Sequence, residues 1–221
     1  MPFLDIGYFK TNVPRQVKPR SLKTKLVAWQ LDERYYDGDR AHGYGGFNYD
    51  GRWKEIIPRL IERYGLTSSS KVLEVGCKKG FFLHDLKQLL PGITVQGIEN
   101  HSYPIETAME DVRSQIKLGP YEDLPFEDKS FDFVMAFSSI YMLNLGNVVS
   151  ALREIQRVTL GGSYVTLGAG NTHEELDLFR DWTLIGTTVL LVDEWQQLIE
   201  EVGYRGDYYF TTAKSLNLKN F

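Results

Sequence analysis

The stretch Lys71 to Leu83 reads KVLEVGCKKGFFL: a short apolar strand, an acid, a turn bracketed by Gly76 and Gly80, and the start of an apolar helix. A strand ending in Glu74 sets a carboxylate at the C-terminal edge of a sheet, and the two glycines let the backbone turn tightly and approach a bound ligand. A second acid, Glu99, closes the next apolar run, Ile93 to Ile98, at the spacing where nucleotide-binding folds place the group that grips a ribose. Together these features predict a cofactor loop on an α/β sheet.

Working outward, strands and helices alternate from Lys71 on, which implies a parallel sheet covered on both faces. The strands expected are Lys71 to Glu74, Thr94 to Ile98, Gln115 to Leu118, Phe131 to Phe137 and Ser163 to Leu167. The helices between them are Phe81 to Leu90, Pro104 to Val112 and Val148 to Val158. Upstream, Trp53, Ile56, Ile57, Leu60, Ile61 and Tyr64 fall on one helical face, with Pro58 as a kink. Near the end, Asp193 to Val202 predicts a helix buried through Trp195, Leu198, Ile199 and Val202, with Asp193 and Gln196 as its N-cap pair.

The first fifty residues differ. Lys10, Arg15, Lys18, Arg20, Lys23 and Lys25 come without an intervening acid and with Pro14 and Pro19 among them, which reads as an arm without regular helix. The segment YYDGDRAHGYGGFNYDGRW, Tyr35 to Trp53, is dense in Gly, Tyr and Asp and predicts turns with exposed aromatics. The division expected is therefore an arm and lid over 1–52 and one cofactor-binding domain over 53–221.

Composition fits that plan. A chain of 221 residues with 43% hydrophobic content buries one core, and a net charge of -4 with both signs interspersed gives no reason to expect a nucleic acid partner. The lone Cys77 excludes an intrachain disulfide and, with no signal-like start and no membrane-length apolar run, points to the cytoplasm. No internal repeat is visible, and no His, Cys and Asp spacing suits a metal.

At this point the chain resembles the class I S-adenosylmethionine (SAM)-dependent methyltransferases, and among them the type 11 branch. Glu74, Gly76 and Gly80 match that family's acid and glycine motif, with Lys78 where the middle glycine usually stands. The likeness continues through GIEN (Gly97 to Asn100), EDLPFEDKSFDFVMAFSSI (Glu122 to Ile140) and ALREIQRVTLGGSYVTL (Ala151 to Leu167). The resemblance implies a Rossmann-like, doubly wound sheet, mostly parallel, with the Tyr208 to Thr212 run as an antiparallel C-terminal edge strand. It implies SAM as cofactor, with Glu99 on the ribose and Glu74, Gly76, Cys77, Gly80, Asn100 and Phe137 around the loop. Lys78 puts a side chain and a positive charge either beside the pocket or into solvent, and a residue with a Cβ fits the position if its backbone stays at negative φ. Where the family often has Gly-Asp, this chain has Gly119-Pro120, so the adenine contact is either absent or moved toward Glu122 or Asp123, and Tyr121 is either over the adenine face or a surface residue.

GYGGFNYDGRW, Gly43 to Trp53, and VDEW, Val192 to Trp195, resemble a bacterial methyltransferase subgroup. Related enzymes fold the pre-motif segment over the cofactor, which makes Tyr44, Tyr49 and Arg52 lid residues. Arg52 is then a partner for the methionine carboxylate, or else one half of a salt bridge at a helix start. Methyl transfer is an in-line displacement that asks chiefly for positioning. For an oxygen acceptor, Tyr141, His42 and Asp181 are the candidate bases. The expected acceptor is a small molecule, with a sugar hydroxyl or nucleotide-linked sugar as the specific candidate, and no membrane partner. The alternative is an inactive SAM-binding scaffold. An NAD oxidoreductase would need Gly-x-Gly-x-x-Gly, which Gly76 to Gly80 does not supply.

Overall fold

A computed structural model of the chain describes residues 3–8 and 13–220, so the Lys10 end of the basic stretch lies outside the described residues. In chain order the elements are β1 (Arg15–Val17), α1 (Leu22–Ala28), α2 (Glu33–Tyr36), α3 (Trp53–Tyr64), β2 (Lys71–Val75), α4 (Phe81–Leu89), β3 (Thr94–Glu99), α5 (Ser102–Glu106) and α6 (Glu110–Arg113). There follow β4 (Ile116–Leu118), β5 (Phe131–Ala136), a 3-10 turn (Ile140–Met142), α7 (Leu145–Val158), β6 (Thr159–Gly170), α8 (His173–Trp182), β7 (Leu190–Leu191), α9 (Val192–Val202), β8 (Asp207–Thr211) and β9 (Leu218–Asn220).

The main sheet runs β4-β3-β2-β5-β6, with β8 beyond β6 and the short β7 on the last residues of β6. All of these pairings are parallel. Alternation along each strand divides the core between two faces. Val72, Phe133 and Met135 point toward α3 and α4. Leu73, Val75, Val134, Ala136, Val165 and Leu167 point toward α7, α8 and α9. Trp195 of α9 is fully buried, and its indole N–H is matched by the Gly168 carbonyl at 2.8 Å, so its burial leaves no polar atom without a partner. Because β3 and β5 lie on opposite sides of β2, the order of strands reverses there, and a crevice opens beyond the C-terminal ends of these strands.

Several expectations change. The C-terminal strand does join the sheet beside β6, but it is parallel to it, with Tyr164 to Gly168 in step with Asp207 to Thr211. The antiparallel strand expected there is not formed, because α9 carries the chain back along the sheet before β8 begins, and such a crossover yields a parallel neighbour. The Pro104 to Val112 helix is broken into α5 and α6, since the Met109 N–H leaves the helical ladder to donate to the Lys79 carbonyl at 3.0 Å. The cap of α9 lies two residues earlier than expected: Glu194 accepts from the Leu191 N–H at 2.8 Å. α3 continues unbroken across Pro58.

The first fifty residues are more ordered than an arm. α1 forms at Leu22–Ala28, started by Ser21, whose hydroxyl accepts from the Thr24 N–H at 3.1 Å. Tyr35 and Tyr36 are buried, not exposed, in a cluster with Ala28, Leu184 and Ile185. β1 pairs in parallel with β9 as a separate two-stranded sheet. Among the described residues, no helix is long and apolar enough to cross a membrane.

Candidate functional site

The cavity at the crevice measures about 280 Å³. Its floor comes from the strand ends: Gly76 and Lys78 after β2, Glu99, Asn100 and His101 after β3, and Ser139 after β5. Tyr121, from the loop after β4, closes one side. The roof is Trp29, Leu31, Tyr35 and Tyr36 from the N-terminal helices, with Met142, Leu143, Ile185 and Thr187 from the other side.

Gly76 is fixed by its surroundings as much as by its turn. It has φ 75°, and a Cβ there would lie 2.2 Å from the Ser139 Cβ. Ser139 is held in place by donating its hydroxyl to the Val75 carbonyl at 2.7 Å. The ends of β2 and β5 are thus packed at a distance only glycine allows.

Glu99 is 1% exposed and organises the floor. Its Oε2 accepts from the Lys78 N–H at 2.8 Å, and its Oε1 accepts from the Asn100 N–H at 2.9 Å and the Tyr121 hydroxyl at 2.6 Å. Three of about four lone-pair positions are therefore filled, which leaves one on Oε2 for a ligand. Burial and the Glu99 charge push the Tyr121 phenol well above its ordinary range, so it remains a donor.

Lys78 differs most from expectation. Its φ is 53°, in the left-handed region, where a negative φ was expected. The Glu99 carboxylate stabilises this backbone by taking its N–H. The side chain turns inward, with Nζ 3.0 Å from the Phe137 carbonyl and 3.4 Å from that of Gly76. Glu74 lies behind this point, 5% exposed, with Oε2 lacking any hydrogen-bond partner among the described residues. Burial pushes its pKa up to about 8, against the opposing pull of the Lys78 charge.

The N-terminal helices are attached by polar contacts. Asp37, at the end of α2, pairs with the Lys79 ammonium and accepts from the Tyr103 hydroxyl at 2.7 Å, so it joins α2 to the glycine-bracketed turn and to α5. Trp29 donates its indole N–H to the Leu184 carbonyl at 3.1 Å, and the Tyr44 hydroxyl accepts from the Leu184 N–H at 3.1 Å.

Of the residues expected at the site, the cavity brings together Gly76, Glu99, Asn100 and Tyr121. Glu74, Cys77, Gly80 and Phe137 support it from behind: Cys77 is buried, Gly80 starts α4, and the Phe137 ring packs on Tyr8 and Trp53. Glu122 lies aside, accepting from the Asn147 amide at 2.7 Å. Arg52 pairs with Asp50 and stacks over Tyr8, away from the cavity lining. His42 is half-buried and Asp181 is exposed, and both lie outside that lining. Tyr141 is buried 6.3 Å from Phe179, and burial raises its pKa. Sequence reading missed Trp29, Tyr35, Tyr36, Ser139, Ile185 and His101, whose Nδ1 lies 2.7 Å from the Asn100 side-chain oxygen. Its place directly after Glu99-Asn100 was the one available signal. No group of three or more His, Cys, Asp or Glu side chains suited to a metal occurs among the described residues.

The strands and loops that build this floor fall within one recognisable segment. Residues 73–167 match the methyltransferase domain family. A demethylmenaquinone methyltransferase of Thermotoga maritima is 28% identical over 139 residues, which cover 62% of this chain and 58% of that relative. The chain spans little more than half the length of most curated relatives it matches. Among solved structures, the YcgJ protein from Bacillus subtilis superposes with a TM-score of 0.55 at 19% identity, covering 66% of each chain. A SAM-dependent methyltransferase from Aquifex aeolicus gives 0.50 at 19% identity, covering 72% of this chain and 90% of that one. At such identities these two likenesses establish the α/β fold alone.

Proposed function

We propose that the protein is a SAM-dependent methyltransferase acting on a small-molecule acceptor. The observation that carries this reading is the buried Glu99 carboxylate at the end of β3, facing the cavity beside the Gly76 turn with one acceptor position to spare. One hydroxyl of a ribose suits that position, and a charged hydrogen bond there contributes more than a neutral one. The methyltransferase-domain match over the same strands and the methyltransferase relatives support it.

The residues present fit SAM. Glu99 would take the ribose, and the carbonyls of Gly76 and Phe137, with Glu74 behind them, would take the amino-acid end once Lys78 withdraws. When bound, this group supplies a methyl already activated on sulfonium sulfur. What remains for the protein is to orient the acceptor and exclude water, which the roof over the cavity suits. Its lining is chiefly aromatic and aliphatic: Trp29, Leu31, Tyr35, Tyr36, Met142, Leu143 and Ile185. Such a surface favours an acceptor with an apolar or planar face. A nucleotide-linked sugar would find Lys78 as the one lysine or arginine in the described lining, to which His101 also belongs. For an oxygen acceptor, His101 would be the candidate base, since it lines the cavity whereas Tyr141 and His42 lie outside it.

Calorimetry with SAM and with NAD tests the cofactor, and methyl release in the presence of planar aromatic acceptors tests the activity. SAM binding that Glu99→Ala leaves unchanged would remove the reading.

A further inference from the structure

The loop places a cation of the protein's own where a cationic ligand is expected. Lys78 Nζ sits at 3.0 Å from the Phe137 carbonyl and 3.4 Å from the Gly76 carbonyl, at the adjacent ends of β5 and β2. Among the described residues no carboxylate lies within 4.0 Å of it. The ammonium is held by backbone oxygens, with the partnerless Oε2 of Glu74 among the nearby buried polar atoms. The residue is kept in the left-handed region at φ 53°, a conformation that costs a non-glycine residue energy and is over-represented where function requires it. Its backbone is secured separately, by the N–H bond to Glu99. The side chain can therefore leave the two carbonyls without breaking the bond that holds the loop.

We propose that Lys78 is an internal competitor for the cofactor: its ammonium fills the carbonyl pair that the amino group of SAM would use, and SAM binds only as that side chain swings out. This rests on the SAM reading of the cavity. Two cations cannot share two carbonyls, and SAM carries an ammonium and a sulfonium together. The lysine stem has four rotatable methylenes, and Lys78 lines the cavity, so rotation about that stem can take its head off the two carbonyls. Because binding then proceeds only from the fraction of molecules with Lys78 withdrawn, the apparent affinity is lowered by that fraction. A ligand with the same adenosine and thioether but no amino-acid end avoids the competition. Lys78 thus sets which adenosine ligands the site prefers, acting through occupancy and not through the transfer chemistry.

The test is calorimetry on the full chain, comparing the wild type with Lys78→Gly, which also relieves the positive φ, and Lys78→Met, which keeps the bulk without the charge. The ligands are S-adenosylhomocysteine, which has the ammonium, and 5′-methylthioadenosine, which lacks it. We expect Lys78→Gly to tighten S-adenosylhomocysteine at least tenfold and to change 5′-methylthioadenosine less than threefold, with Lys78→Met between wild type and Lys78→Gly for the first ligand. If both ligands bind and S-adenosylhomocysteine is unchanged or weaker in both variants, the competition is overturned and the SAM reading stands. Equal tightening of both ligands also overturns it, since bulk rather than charge is then at issue. If neither ligand binds any of the three proteins, the SAM reading falls and the competition with it.

Discussion

The Tyr121 hydroxyl donates to Glu99 Oε1 at 2.6 Å and also lies 3.2 Å from the Asn100 side-chain oxygen, so one phenol bridges the last residue of β3 and the residue that follows it. It takes an acceptor position a ribose would otherwise use. Tyr121→Phe is expected to lower stability by about 1 to 2 kcal/mol, the range for losing a hydrogen bond to a charged group. SAM binding should be unweakened or tighter. Denaturant melts and calorimetry on the same preparation check both halves.

Glu99→Ala removes the acceptor for the Lys78 and Asn100 N–H groups as well as the ribose contact. SAM affinity is expected to fall by about 1.5 to 3 kcal/mol. Glu99→Gln, which keeps the shape and one acceptor oxygen, should fall less. Equal losses in the two variants, read by calorimetry, would mean that charge alone matters.

Gly76→Ala should destabilise the fold by about 2 kcal/mol or more, from the left-handed backbone and from the collision with Ser139. Combining it with Ser139→Gly removes the collision and leaves the backbone cost. Partial recovery of the urea midpoint in the double variant is the expected result.

The buried Glu74 makes stability depend on pH in a particular direction. Its folded pKa of about 8 lies above the unfolded carboxyl value, so the folded state holds a proton that the unfolded state has already released. Its contribution is fully present below the unfolded pKa, declines as pH rises, and is lost above about 8. The stability difference between wild type and Glu74→Gln, measured by urea melts from pH 5 to 9, should therefore shrink in favour of the variant and level off near the top of that range.

Asp37→Ala breaks both the Lys79 ion pair and the Tyr103 bond that hold the lid to the loop. Limited proteolysis between Tyr35 and Tyr49 should become faster in the variant, and SAM should slow it in the wild type. Equal rates in all conditions would show that the attachment carries no weight.

The central strands and their helices were legible because period-two and period-3.6 patterns act locally. That Glu99 and Gly76 end neighbouring strands, and so meet at one cavity, could be read from spacing because it too is set locally. Three things were not. The burial of Tyr35 and Tyr36 depends on Leu184 and Ile185, far along the chain, while their own neighbourhood of Gly and Asp reads as exposed turn. The direction of β8 depends on where α9 delivers the chain, which no pattern within Asp207–Thr211 encodes. The positive φ of Lys78 is held by Glu99, so it became visible only once the two residues were seen in contact.

The pairing of β1 with β9 joins Arg15–Val17 to Leu218–Asn220, and the roof helices α1 and α2 follow directly from β1. The cover of the pocket is therefore anchored by a segment that leaves the ribosome some two hundred residues after the cover itself. A nascent chain can build the sheet and its cofactor loop while the chamber above them is still without its fastening. Cleavage near Leu218 would recreate that state in the folded protein, so the short β9 segment has a say in how firmly the roof helices are held.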